Sequence, residues 1–195
     1  MIVVGIDPGT RHLGWGVLRV EGTRFIHVAH GVVDTDVEAS IAVRLCEIER
    51  ALSEVLAAYC PTAAAVESLF FARDPMAAAK LGHARGVVLL VLARAGIPIT
   101  EYEPARVKRA IAGHGRAEKR QVALMISTLL NLPDPPRADA ADALAIALVH
   151  ARAAPMLEQI ARVEALTRAA MTRAARAGGA AIVPKTRSRR ATFVR

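Results

Sequence analysis

The chain has 195 residues, 53% of them hydrophobic, which suits one compact domain with an appendage better than two full domains. Its formal net charge of +8 lies entirely at one end: residues 1–150 carry 16 Lys+Arg against 16 Asp+Glu, and residues 151–195 carry 10 against 2. The apolar run from Gly86 to Ala95 contains Arg94 and falls far short of the roughly 20 residues of a membrane span; the opening MIVVGI lacks the basic start and cleavage site of a secretory signal, so a cytoplasmic protein with no membrane partner is expected.

Ile2–Ile6 is a β-branched run suited to a central strand buried on both faces, and Asp7-Pro8-Gly9-Thr10 turns the chain after it. Leu13–Val20 and Phe25–Val33 continue as strands around a turn at Gly22, giving an antiparallel meander. Glu38–Ala58 places Ile41, Leu45, Ile48, Leu52 and Val55 at helical spacing, and Pro61 marks its end. Ala63–Val66 is a short strand ending at Glu67, and a second helix is expected from Asp74-Pro75 to about Arg94. Ile97–Tyr102 makes a fifth strand. Pro104 opens a short helix, and helical patterns resume at Glu118–Leu130 and Ala138–Ala153. The order predicts a mixed five-stranded sheet with helices on both faces.

Residues 1–154 therefore form the predicted domain, and 155–195 an Ala- and Arg-rich extension. Within the extension Leu157, Ile160, Val163 and Leu166 make one amphipathic stretch, with a disordered basic arm expected past Gly178-Gly179. Such an extension attracts polyanions with strong salt dependence, so it points to nucleic acid as partner without identifying a reaction. Cys46 and Cys60 lack the paired spacings of a zinc or redox site and are read as inert thiols.

Two buried-strand patterns end in carboxylates, Asp7 and Glu67. An ionised carboxylate near a core is costly unless paired, hydrogen-bonded or metal-bound. Asp139 and Asp142, three apart on the last core helix, share a face that continues into Ile146 and Val149, so both belong to the inward stripe. Singly, each acid has a plain reading: a turn Asp, a strand-end Glu paired with an arginine, first-turn acids favoured by the helix dipole. Together they converge at one end of the sheet. Four carboxylates without clustered Cys or His favour Mg²⁺, with Mn²⁺ able to substitute, over zinc. Two such ions would suit phosphodiester hydrolysis.

The segments GIDPGTRHLGWGV, VESLFFARDPMAAAKLGHARG, YEPARVKRAIAGHGRAEKRQV and RADAADALAIALVHA, in that order over residues 1–152, resemble the RuvC family of Holliday-junction resolvases. The resemblance implies a ribonuclease H-like fold and places the family's catalytic acids on Asp7, Glu67, Asp139 and Asp142. It further implies a four-way DNA junction as substrate, nicked symmetrically by a homodimer to leave 5′-phosphate and 3′-hydroxyl ends. A RuvA–RuvB-type branch-migration complex is implied as partner. It assigns Phe70 to base stacking and Lys108 and Lys119 to phosphate binding; taken without it, Phe70-Phe71 read as loop packing and the lysines as solvated charge. Arg120 has no such support. His12 and His114 fall in loops near the expected site, where a structural role and proton transfer both remain open. Gly82 and Gly86 would allow close helix packing within the chain or across a dimer.

Two rival readings accompany this one. An actin-like or sugar-kinase-like phosphotransferase also has Asp and a Gly-Thr turn after its first strand, but needs a longer, two-lobed chain. A noncatalytic DNA-binding protein would rely on the basic extension alone.

Overall fold

Strand β1 (Ile2–Asp7) decides how the domain is layered. Its Val3 faces a cluster with Leu18, Ala65, Tyr102 and Leu144, while Val4 and Ile6 face a second cluster with Val17, Ile48, Leu52 and Val66. All of these residues are buried, so the strand has core on both sides, as its unbroken apolar run requires.

The computed structural model describes residues 1–68 and 75–178. β2 (His12–Glu21) and β3 (Arg24–Asp34) pair antiparallel, β2 also pairs antiparallel with β1, and β4 (Ala63–Glu67) and β5 (Ile99–Tyr102) extend the other side in parallel. The order across the sheet is β3-β2-β1-β4-β5. Helices α1 (Ile41–Tyr59) and α2 (Pro75–Arg94) cover the Val4 face. Helices α3 (Pro104–Ala112), α4 (Lys119–Leu129) and the first part of α5 (Ala138–Gly178) cover the Val3 face. The expected mixed five-stranded sheet with helices on both faces is the observed one.

Local chemistry sets the boundaries. Ser40 caps α1, its Oγ accepting from the Val43 amide, so the helix begins three residues after the expected Glu38. Cys60 ends it in a left-handed conformation, donating its backbone N–H to Leu56. β5 begins at Ile99, two residues later than expected, after Gly96 has turned the chain with φ 68°.

The largest departure is α5, which runs on through Pro155 to Gly178 instead of stopping at Ala153. Proline at 155 has no N–H to give to the preceding turn, yet the Ala-rich sequence on both sides sustains the helix. The stretch Ala138–Leu157 is long and apolar enough by length and composition to cross a membrane, but about two-thirds of it is buried inside the protein, as in a core helix.

The chain divides into two compact units, Met1–Ala153 and Ala154–Arg195. In the second, Met156, Leu157, Ile160, Val163, Leu166 and Met171 are exposed. The basic arm expected past Gly179 lies outside the described residues.

Among the described residues, Gly82 and Gly86 pack closely against nothing. A Cβ at either would meet nothing within 4 Å.

Candidate active site

Strand alternation carries two acids to one face. On β1, Val3 and Gly5 face α5, so Asp7 does too; on β4, Ala65 faces the same way and so does Glu67. The two residues stand one step beyond the paired Ile6 and Val66, at the adjacent carboxyl ends of parallel strands.

Helix α5 approaches this end because the sheet beneath it is bare. A Cβ at Gly14, which pairs with Asp7, would overlap the carbonyl oxygen of Asp139; one at Gly16 would come 2.6 Å from Leu144 Cδ2, and one at Gly5 would overlap the Ala143 carbonyl. Buried Ala140, Ala141 and Ala143 supply the matching small surface on the helix. Glycines inside strands signal such a close approach, and the Gly14-Trp15-Gly16 alternation was the available sequence clue.

Asp7, Glu67 and Asp142 then line one cavity of about 160 Å³ with Lys108 and Lys119, over a floor of Pro104, Val107, Val122 and Ile146. Asp139 does not line it. Its carboxylate is held to the same site through Lys119, whose Nζ lies 3.6 Å from Asp139 Oδ1 and 3.4 Å from Asp142 Oδ2. Lys108 and Lys119 stand beside the buried Val107 and Ile111 of α3 and Val122 and Ile126 of α4, and Val107 and Val122 line the cavity with them.

The electrostatics follow from crowding acids in a partly dry site. Burial, then the charge of Glu67 and a hydrogen bond to it, push Asp7 up to about 9, against a smaller opposing pull from Lys119. The buried pair therefore holds a proton more tightly than free carboxyls would. Burial also raises Glu67, with the hydrogen bond from Asp7 working the other way, and raises Asp142, where Lys119 opposes. Lys119 is raised because Asp142, Asp139 and Asp7 together outweigh its own desolvation.

These acids have the chemistry of a hard-cation site, since every donor is a carboxylate oxygen and burial leaves the cluster short of positive charge. The Lys119 ammonium compensates part of it. Among the described residues, no group of three or more His, Cys, Asp or Glu side chains stands ready to enclose an ion.

Two features beside the site escaped sequence reasoning. Asp34 at the end of β3 accepts from both Arg137 nitrogens, at 2.6 and 2.8 Å, and lies 2.7 Å from Nδ1 of His12. His12 thus begins β2 and serves a structural contact, while His114 is exposed in the turn after α3. Tyr102, which pairs with Glu67, has its hydroxyl 3.0 Å from Nδ1 of His150 in the core. Arg120 is exposed, and Phe70 and Phe71 lie outside the described residues.

Comparison with known proteins adds the following. The sequence model of the family described as "Crossover junction endodeoxyribonuclease RuvC" matches residues 3–150. A protein of that description from Sorangium cellulosum is 59% identical over 179 residues, 91% of this chain and all of the relative. One from Azorhizobium caulinodans is 48% identical over 76% of this chain and 88% of its own length. Among solved structures, Thermus thermophilus RuvC in complex with Holliday junction substrate shares 45% identity with TM-score 0.74, covering 80% of this chain and 96% of that one. The yeast mitochondrial Holliday junction resolvase, 14% identical with TM-score 0.55 over 74% of this chain and 75% of that one, shares the ribonuclease H-like fold alone.

Proposed function

The chain belongs to the RuvC family of crossover junction endodeoxyribonucleases, and from that premise we propose that this Holliday junction-resolving, metal-dependent nuclease works through Asp7, Glu67, Asp139 and Asp142. The observation that carries the assignment is the meeting of Asp7, Glu67 and Asp142 from two parallel strands and one helix in a single lysine-flanked cavity. Separate plain roles for these acids would not bring them together.

The four carboxylates would hold Mg²⁺, with Mn²⁺ as substitute and two ions per site when DNA is bound. Bound divalent ions supply an activated water and charge neutralisation at the leaving oxygen, the needs of phosphodiester hydrolysis. The protein's own part is positional. Asp7 and Glu67 would both serve as charged carboxylate ligands. Lys119 holds Asp139 and Asp142 in place, and with Lys108 offers cationic contacts to the scissile strand.

On DNA we take Phe70 as the residue that stacks on unpaired junction bases. A homodimer would bring two such sites to the junction for paired nicks that leave 5′-phosphate and 3′-hydroxyl ends. The surface of α2 at Gly82, Gly86 and exposed Leu90 is open for such an interface. A RuvA–RuvB-type branch-migration complex is the expected partner, in the cytoplasm. Residues 1–154 act as the nuclease domain and 155–195 as a basic extension that attracts DNA.

Cleavage of a synthetic four-way junction with Mg²⁺ by the native protein and Asp7→Asn tests the site. The native protein should nick symmetrically. The variant should lose cutting by about a thousandfold or more while keeping or gaining junction affinity, since one source of phosphate repulsion is gone. Cutting by Asp7→Asn at near-native rate would remove Asp7 from the chemistry.

A further inference from the structure

Edge strand β3 carries a histidine pair that does not line the carboxylate cavity. Successive side chains of a strand alternate between faces, so residues 27 and 30 would ordinarily point apart. The register with β2 shifts between Val17 and Leu18: Val17 pairs with Ala29 and Leu18 with His27, which leaves Val28 as an extra residue. That bulge sets His27 opposite Leu18 and His30 opposite Gly16, two positions on the same face. Nε2 of His27 and Nδ1 of His30 consequently meet at 2.8 Å, with ring centroids 4.9 Å apart. Bulges often re-aim side chains in this way next to functional sites.

We propose that His27 and His30 form a chelating pair for a borderline divalent transition metal, Cu²⁺ or Ni²⁺ ahead of Zn²⁺. Imidazole nitrogens are the ligands such ions prefer, as carboxylates are for Mg²⁺. With metal–nitrogen bonds of about 2.0–2.1 Å, nitrogens 2.8 Å apart subtend roughly a right angle at the ion. That is the cis angle of tetragonal Cu²⁺ and Ni²⁺, narrower than the tetrahedral angle of Zn²⁺.

Both rings are half-buried, and burial holds both below the usual histidine value, in the neutral, lone-pair-bearing form. One ring now donates its N–H to the other. Admitting a metal requires that proton to move to the other nitrogen of the same ring, a tautomer change without change of charge. Beside His27 opens a cavity of about 460 Å³, shared with Phe25, Asn131 and Leu132, with room for the remaining water ligands. The pair is separate from the carboxylates: β2 lies between β3 and β1, and Asp7 pairs with Gly14, whereas the histidines sit opposite Gly16 and Leu18.

Titration of the full chain with Cu²⁺, followed by electron paramagnetic resonance, tests the site. The first equivalent should show coupling to two nitrogens, and its affinity should fall by about tenfold or more in both His27→Gln and His30→Gln but not in Asp7→Asn. In parallel melts, Ni²⁺ should raise the Tm of the native protein and not of either histidine variant. Each variant is compared with its own metal-free melt, so one of lower stability still reports. Unchanged copper affinity in both histidine variants, a loss confined to Asp7→Asn, or a spectrum with at most one nitrogen overturns the proposal.

Discussion

Asp7 shows how a buried acidic side chain burdens the fold that holds it. A carboxyl whose folded pKa is raised takes up a proton on folding, so folding is least penalised below its unfolded value of 3.8 and most penalised once pH has risen through about 9. Asn at this position keeps the hydrogen-bonding shape and has no such titration. Asp7→Asn should therefore melt higher than the native protein at pH 8 in chelator, and the gap should narrow toward pH 5; a lower-melting variant at pH 8 would contradict this account. The opposite sign holds for His150, buried and lowered by desolvation: its contribution is complete above about pH 6.5 and declines as pH falls below it, because the unfolded chain takes the proton first. Its bond to Tyr102 is a second test at this scale. His150→Leu should cost about 1–3 kcal/mol by stranding the buried hydroxyl, and adding Tyr102→Phe should recover part of that loss in a denaturant double-mutant cycle. Sequence spacing exposed the four acids because each sits at a strand end or on an inward helix stripe. The Tyr102–His150 bond was not legible, since it joins residues 48 apart whose meeting depends on how α5 lies across the sheet.

That placement is decided by elements, chiefly by the glycines under α5. Gly14 and Gly16 differ in what an added methyl meets first: the Asp139 backbone, which it would overlap, in one case, the Leu144 side chain at 2.6 Å, with its backbone N at 3.1 Å, in the other. Gly14→Ala should therefore be the worse change, destabilising by about 1–3 kcal/mol as overpacking does and slowing cleavage more than the stability loss explains, because it displaces the turn bearing Asp139. Gly16→Ala should melt lower but keep more of its activity; equal kinetic damage in both would show that α5 shifts as a rigid rod. The start of α5 is also fastened to β3 by Arg137 and Asp34, whose carboxyl the two hydrogen bonds, from Arg137 first and His12 second, hold down to about 2. The stabilisation this exposed pair gives is present above the unfolded value near 3.8 and lost as pH falls toward 2. Strand and helix identities were legible from periodicity because each buries one regular face. The length of α5 was not, since Pro155 is a local stop signal that the helix-forming residues on both sides override. The bulge at Val28 was equally hidden, because it is a property of pairing with β2 and not of the β3 sequence.

For the whole molecule the decisive fact is the separation of charge from chemistry. Residues 1–150 balance 16 basic against 16 acidic side chains, whereas residues 156–195 hold nine Lys+Arg against Glu158 and Glu164. On the proposed reading, a net-neutral body would draw DNA through local contacts such as Lys108 and Lys119, and long-range attraction would fall to the extension. Removing residues 156–195 should then weaken junction binding most at low salt and flatten the dependence of log affinity on log salt, since each phosphate contact contributes a slope of about 0.9. Cleavage at saturating enzyme should persist, because no carboxylate of the site is removed. Melting should also change little, since Ile160, Val163 and Leu166 are 44%, 62% and 64% exposed. An unchanged salt slope would return the electrostatic attraction to the body, and a collapsed melting transition would make the Leu157–Leu166 stripe part of what holds the nuclease domain together.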